Sequence, residues 1–224
     1  MKVAVLGKVD PKGLSFLIEN EFKVIEIESF EIQNLKEQLK DVDGILLRTT
    51  KLDKEILEHC DNLKIISRHG VGYDNVDLDF LNENKIALCI TSTSNAVSVA
   101  EHVLSFFIYL TKKLSLSDSL VKEGNFEKRS ELPNFFELYK KKVLIIGFGR
   151  IGKEVAKRCL GFDMEVYVYD PFLDNEIIIR NQCIPIEKNQ GLAIADFITI
   201  HLPLNGDTKN FISQTELNLS LIHI

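Results

Sequence analysis

The run Val143-Leu-Ile-Ile-Gly147-Phe148-Gly149-Arg150-Ile151-Gly152, followed later by Asp170, limits what this chain can become. An apolar run leads into a glycine turn, a helix-spaced segment, a second apolar run and then a carboxylate. Gly147 lets the chain turn sharply out of a strand. Gly149 has no side chain, so a pyrophosphate can approach the backbone. Gly152 lets a helix pack close to the strand. A helix over 150–161 would aim its first N–H groups at that anion, where the helix dipole favours negative charge.

A glycine pattern of this kind is weak alone, but its surroundings agree with it. Lys142 to Ile146 reads as a buried strand, and Ile151, Val155 and Ala156 recur at helical spacing. Met164 to Tyr169 reads as a second strand. Asp170 follows at its carboxyl end, where a carboxylate accepts both hydroxyls of a ribose. The alternative is an ordinary βαβ unit with a tight turn. Asp170 is followed by Pro171 and Phe172 with no basic residue, which favours NAD over NADP.

The length of 224 residues allows one large domain or two small ones, and 45% hydrophobic content is enough for a real core. A net charge of −6 argues against a general nucleic-acid or membrane-surface binder. Cys60, Cys89, Cys159 and Cys183 form no C-x-x-C pair. They read as free thiols of a reducing compartment, with Cys89 and Cys159 in the core. No zinc-ligand spacing appears, so no metal is expected. The apolar start is too short for a signal peptide, and Val103 to Leu110 is far below membrane-spanning length. A soluble cytoplasmic protein is expected.

Residues 1 to about 95 alternate strand-like and helix-like segments, which predicts an open parallel sheet covered on both faces. Ligands of such sheets bind beyond the strands' carboxyl ends. Two polar clusters fall there, Arg48-Thr49-Thr50 and Arg68-His69-Gly70-Val71-Gly72-Tyr73-Asp74. Gly70 and Gly72 would let backbone N–H groups converge on an anion, or would only soften a loop. Arg48 and Arg68 are anchors for a carboxylate or phosphate, or surface charges. Ser98-x-x-Glu101 reads as a capping box opening a helix over 99–110, a role for Glu101 preferred to catalysis. His102 reads as a core histidine, with a cofactor-side polar group as the alternative. Residues 115–139 are polar and mixed, and read as a hinge or arm.

Together these stretches resemble the D-isomer-specific 2-hydroxyacid dehydrogenases. The resemblance rests on Arg68 to Asp77, Asn95 to His102, the glycine run through Asp170-Pro171, and His201-Leu202-Pro203-Leu204 with Thr208. Two departures are Phe126, where tryptophan is common, and Lys140, where glycine is. The resemblance implies two doubly wound parallel-sheet α/β domains, a flavodoxin-like substrate domain and a Rossmann NAD domain, the second incomplete. The expected division is 1–97 for the substrate domain, 98–141 for a linking helix and arm, 142–218 for the NAD domain and 219–224 for a non-native tail.

The resemblance also implies roles. Gly70, Val71 and Gly72 would hold a substrate carboxylate, with Arg48 and Asn95 beside it, and Val71 would also lie near the nicotinamide. Gly147, Phe148, Gly149, Arg150, Ile151 and Gly152 would hold the pyrophosphate, and Asp170 the adenosine ribose. His201, Leu202, Pro203 and Thr208 would line the cofactor cleft. The partners implied are a small 2-hydroxy or 2-oxo acid and a second copy, through the helix near Val99. The activity implied is hydride transfer between NAD and a D-2-hydroxy acid of the 3-phosphoglycerate or hydroxypyruvate/glyoxylate class. The rivals are a non-catalytic NAD(H)-binding sensor and, more weakly, a formate dehydrogenase.

The family's catalytic Arg, Glu and His are expected beyond Ile224, so residues 1–224 are expected to be an inactive, marginally stable fragment. The last six residues, Leu-Ser-Leu-Ile-His-Ile, match the in-frame translation of a common transposon-end sequencing adapter. A frameshift or a natural short terminus is the alternative.

Overall fold

The computed structural model describes residues 1–220. Of the tail expected to be non-native, residues 221–224 lie outside the described residues. The chain divides into two compact units, Met1–Ser94 and a second that begins at Asn95.

The first unit runs β1 (Lys2–Leu6), α1 (Pro11–Glu19), β2 (Lys23–Ile27), α2 (Ile32–Gln38), β3 (Gly44–Leu47), α3 (Lys54–Leu57), β4 (Ile65–Arg68), α4 (Leu78–Glu83) and β5 (Ala87–Ile90). All five strands are parallel, in the order β2-β1-β3-β4-β5, with Val3 beside Val24 and Ala4 beside Ile45. That order is the flavodoxin-like doubly wound one. Local chemistry sets the helix starts. Asp10 accepts a hydrogen bond from the Lys12 amide ahead of Pro11, and Asp77 caps α4 through the Phe80 amide. Leu6, Leu47 and Ile66 from the strands and Leu35, Leu57 and Leu81 from the helices close one core.

The second unit runs α5 (Ala96–Lys112), α6 (Leu114–Lys122), a 3-10 turn (Phe126–Glu131), β6 (Lys142–Ile146), α7 (Arg150–Gly161), β7 (Glu165–Tyr169), α8 (Asn175–Arg180), β8 (Ile184–Pro185), α9 (Lys188–Ile194), β9 (Phe197–Ile200) and α10 (Gln214–Leu219). Its four strands are parallel in the order β8-β7-β6-β9. β6 explains the sheet. Val143 and Ile145 face Ala100, Leu104 and Phe107 of α5 and Val155 and Cys159 of α7. Leu144 and Ile146 face Leu192 and Ala195 at α9. These four of the five β6 residues are fully buried, as a parallel strand covered on both faces requires.

The structure corrects several expectations. α5 starts at Ala96 with Asn95 as its cap residue, so Ser98 and Glu101 lie inside the helix and form no capping box. Early entry brings Ala96, Ala100, Leu104 and Phe107 into one buried stripe, and Glu101 instead pairs with Arg158 of α7 at 3.6 Å. His102 is exposed and lies edge-on to Phe106, so it is not a core histidine. Cys89 is exposed, while Cys60, Cys159 and Cys183 are buried, because β5 is an edge strand with little cover. α3 is a single turn, and Leu52 before it is drawn into a bridge with Val76. Within 115–139 the structure forms α6 and the 3-10 turn.

Candidate functional site

In the second unit the turn after β6 gathers the glycine run at the carboxyl ends of β6, β7 and β9. Gly147 takes φ +90°, a left-handed conformation that favours glycine. Its amide donates to the Tyr169 carbonyl at 2.9 Å. A Cβ on Gly147 would lie 2.8 Å from the His201 carbonyl oxygen and 2.9 Å from Leu202 Cδ2. The glycine therefore lets the chain leaving β9 cross against the turn. A Cβ on Gly152 would overlap the Gly147 carbonyl oxygen. Gly149 is different, since nothing lies within 4 Å of its absent Cβ. Two of these glycines admit protein and the third faces open space, in front of the first turn of α7.

Asp170 closes this arrangement. One carboxylate oxygen accepts from the Phe148 amide at 2.8 Å and the other from the Phe172 amide at 3.1 Å. Each oxygen keeps a further lone pair for a ligand hydroxyl. The Phe148 side chain is fully buried in the core, so that residue offers the site only its backbone. Beside Asp170 a hollow of about 460 Å³ is lined by Pro171, Asn175, Ile178, Ile186 and Glu187 among others. Apart from Asp170 and Pro171, sequence reasoning did not single out these residues, because they come from α8, β8 and the segment leading into α9. A hollow of about 470 Å³ in the first unit is walled by charged side chains of α2 and the segment after α3, such as Lys36, Glu37 and Glu58. It includes no residue from the end of a strand.

His201 continues the β6–β9 ladder one residue beyond the strand, its amide donating to the Ile146 carbonyl at 2.8 Å. Its Nε2 lies 2.9 Å from the Thr199 hydroxyl. Burial lowers the imidazole pKa below its ordinary value, which keeps the ring neutral at pH 7. Thr208 bonds within its own loop, donating to the Pro203 carbonyl and accepting from the Asn205 amide at 2.8 Å. Its hydroxyl shapes the loop that carries Leu202 and Pro203.

In the first unit Arg48 and Arg68 stand at the carboxyl ends of neighbouring strands β3 and β4. Arg48 donates to the Lys8 carbonyl at 3.2 Å. Arg68 folds back to donate to the His69 carbonyl at 2.9 Å. Its guanidinium fills the space where a Gly70 side chain would stand. Arg68 Nε is buried with no partner among the described residues. Gly70 takes φ +149°, and its amide donates to the Arg68 carbonyl at 3.0 Å. Gly70 thus spends its own N–H on the loop itself. The amides of Val71 and Gly72 make no backbone hydrogen bond among the described residues. Asn95, opening the second unit, has a buried Oδ1 with no partner among the described residues.

The parallel sheet, the glycine turn against α7 and the carboxylate ending β7 define the second unit as a Rossmann dinucleotide-binding domain. Residues 104–221 match the family model for the D-isomer specific 2-hydroxyacid dehydrogenase NAD binding domain. The chain is 31% identical to hydroxypyruvate reductase of Thermotoga maritima over 218 residues, covering 96% of this chain and 69% of that one. It is 32% identical to D-3-phosphoglycerate dehydrogenase of Archaeoglobus fulgidus, covering 96% of this chain but only 40% of that one. The structure of 3-phosphoglycerate dehydrogenase from Entamoeba histolytica with NAD+ aligns at a TM-score of 0.81. Its identity is 29%, with 98% of this chain and 68% of that one covered. The chain belongs to the D-isomer-specific 2-hydroxyacid dehydrogenase family and carries that family's NAD-binding domain. Its cofactor is NAD, and the open space at Gly149, the buried turn and the Asp170 carboxylate fit that group. No described helix is long and apolar enough to cross a membrane, and no described cluster of His, Cys, Asp and Glu could hold a metal ion.

Proposed function

We propose that residues 1–224 supply the NAD site and the anion-binding loop of an oxidoreductase acting on the CH–OH group of a D-2-hydroxy acid. One observation carries this reading: Asp170 tied to the glycine turn beside an open Gly149. Gly149 and the first amides of α7, including those of Arg150 and Ile151, would face the pyrophosphate. Asp170 would accept the adenosine ribose hydroxyls, with Pro171, Ile178 and Ile186 around the adenine. Its carboxylate would repel a 2′-phosphate. Bound NAD would supply the hydride acceptor. The amides of Val71 and Gly72 would hold the substrate carboxylate. Arg48 and Arg68, at the carboxyl ends of β3 and β4, support a second anionic group, which favours a 3-phosphoglycerate-class acid over hydroxypyruvate or glyoxylate.

Among the described residues no histidine ring hydrogen-bonds a carboxylate. His59 meets the Glu55 carbonyl and His201 meets Thr199. General acid–base catalysis of hydride transfer needs such a positioned proton carrier. On this reading the described residues would bind NADH without themselves supplying that proton carrier. The same observation favours a second reading, a non-catalytic NAD(H)-binding sensor. All four cysteines are free, which supports a reducing, cytoplasmic setting. The apolar outer face of α5 supports a homodimer.

The test is titration calorimetry. NADH should bind at least tenfold more tightly than NADPH, and Asp170→Ala should weaken NADH about tenfold and narrow that ratio, as loss of charge-assisted hydrogen bonds implies. Equal affinity for the two nucleotides would defeat the assignment.

A further inference from the structure

Thr199 is a polar residue in an apolar position. It lies on β9 opposite Ile145 of β6 and is 9% exposed. Its neighbours along the strand, Ile198 and Ile200, point the other way, and Phe197 on its own side packs into the core beneath α5 and α7. A valine would satisfy that strand face. Among the described residues the hydroxyl has one partner, His201 Nε2 at 2.9 Å.

A hydroxyl brings one proton and two lone pairs, and a neutral imidazole brings one N–H and one bare nitrogen. Two arrangements are possible. If Nε2 carries the proton, it donates to Thr199, and the hydroxyl proton of this largely buried residue has no acceptor among the described residues. If Nδ1 carries it, Thr199 donates to bare Nε2 and both atoms of this part-buried pair are satisfied. An unmet buried donor carries its full desolvation cost, so the second arrangement wins. It leaves Nδ1–H as the ring's outward donor. Nδ1 has no partner among the described residues, and it is not among the sealed, unpartnered atoms. The backbone of the same residue crosses against Gly147, the first glycine of the pyrophosphate turn.

We propose that Thr199 is a positioning residue that fixes His201 as the neutral Nδ1–H tautomer, so that His201 donates to a pyrophosphate or ribose oxygen of the bound dinucleotide. This rests on the reading of that turn as the NAD site. Neutrality suits the task, because the ring donates without having to take up a proton. Thr199 itself touches no ligand and acts through the ring.

Long-range 1H–15N correlation spectra of the whole chain test the first half without any nucleotide. His201 should show a protonated Nδ1 and a bare Nε2. Thr199→Ser should keep that pattern, and Thr199→Val should shift the ring toward the Nε2–H form. Calorimetry with NADH tests the second half. Thr199→Val should bind about fivefold more weakly, the loss expected of one neutral hydrogen bond, and Thr199→Ser within about twofold of wild type. An Nε2–H ring in the wild type overturns the inference. So does a Thr199→Val chain that binds NADH as tightly as a wild type that binds it. A wild-type chain that binds no NADH overturns the dinucleotide reading itself, and with it the ligand assigned to His201.

Discussion

Gly149 and Gly152 stand three residues apart in one motif, yet the same substitution should do opposite things to them. A methyl at Gly152 meets the Gly147 carbonyl oxygen, a backbone atom that cannot swing aside. Gly152→Ala should therefore cost about 3 kcal/mol, in the range of overpacking a filled site, read as a lower urea midpoint. A methyl at Gly149 meets nothing, and that residue's φ of −71° suits any amino acid. Gly149→Ala should change stability by less than about 0.5 kcal/mol, while the methyl stands where the pyrophosphate would lie and weakens NADH at least tenfold. Equal loss of stability in both variants would remove the distinction. These glycines were legible in the sequence because their demands are local: a turn, a gap and a close helix. Arg68 was not. Whether its guanidinium reaches outward or folds over Gly70 depends on a loop conformation that no spacing rule encodes. The same holds for Thr199, whose hydroxyl meets a histidine two residues later only because both leave β9 on one side.

The pattern Ser-x-x-Glu occurs at Ser98–Glu101 and at Ser213–Glu216, and only the second forms a capping box. The pattern states a capacity, and packing decides whether it is used. At α5 the buried alanine stripe pulls the helix start back to Ala96, beyond the reach of Ser98. At α10 Glu216 accepts from the Ser213 amide at 2.9 Å and also meets Lys188 of α9 at 2.9 Å. Bonding to Ser213 first, and to Lys188 next, holds the Glu216 carboxyl down at about 2. A lowered carboxyl pKa contributes stability that is fully present above the ordinary glutamate range. That stability is lost as pH falls from that range through about 2. Acid unfolding of the wild type should therefore steepen in this window, and Glu216→Gln should flatten it while leaving the neutral-pH fold intact. An acid profile unchanged by the substitution would show that the contact is ornamental. Strands fared better than helix starts. β3, β6 and β9 are apolar runs whose ends are set by glycine, lysine or the following polar loop, so their limits were readable without tertiary knowledge.

At the scale of the molecule, α5 is apolar on more than one side. Ala96, Ala100, Leu104, Phe107 and Thr111 are buried in its own unit. Val97, Phe106, Tyr109 and Leu110 are left exposed, Leu110 by 57%, and α6 adds Leu114, Leu116 and Val121. A helix apolar all round is normally covered all round, and an outer patch of this kind marks an interaction surface. A second copy is the proposed cover, since symmetric pairing buries the same stripe on both chains at once. Sedimentation velocity at tens of micromolar should show a dimer. Leu110→Glu places an unpaired charge in the middle of the stripe and should give a folded monomer, because that side chain lies outside the core cluster of its own unit. If the wild type sediments as a monomer, or if Leu110→Glu still pairs, the apolar outer face of α5 serves some other surface.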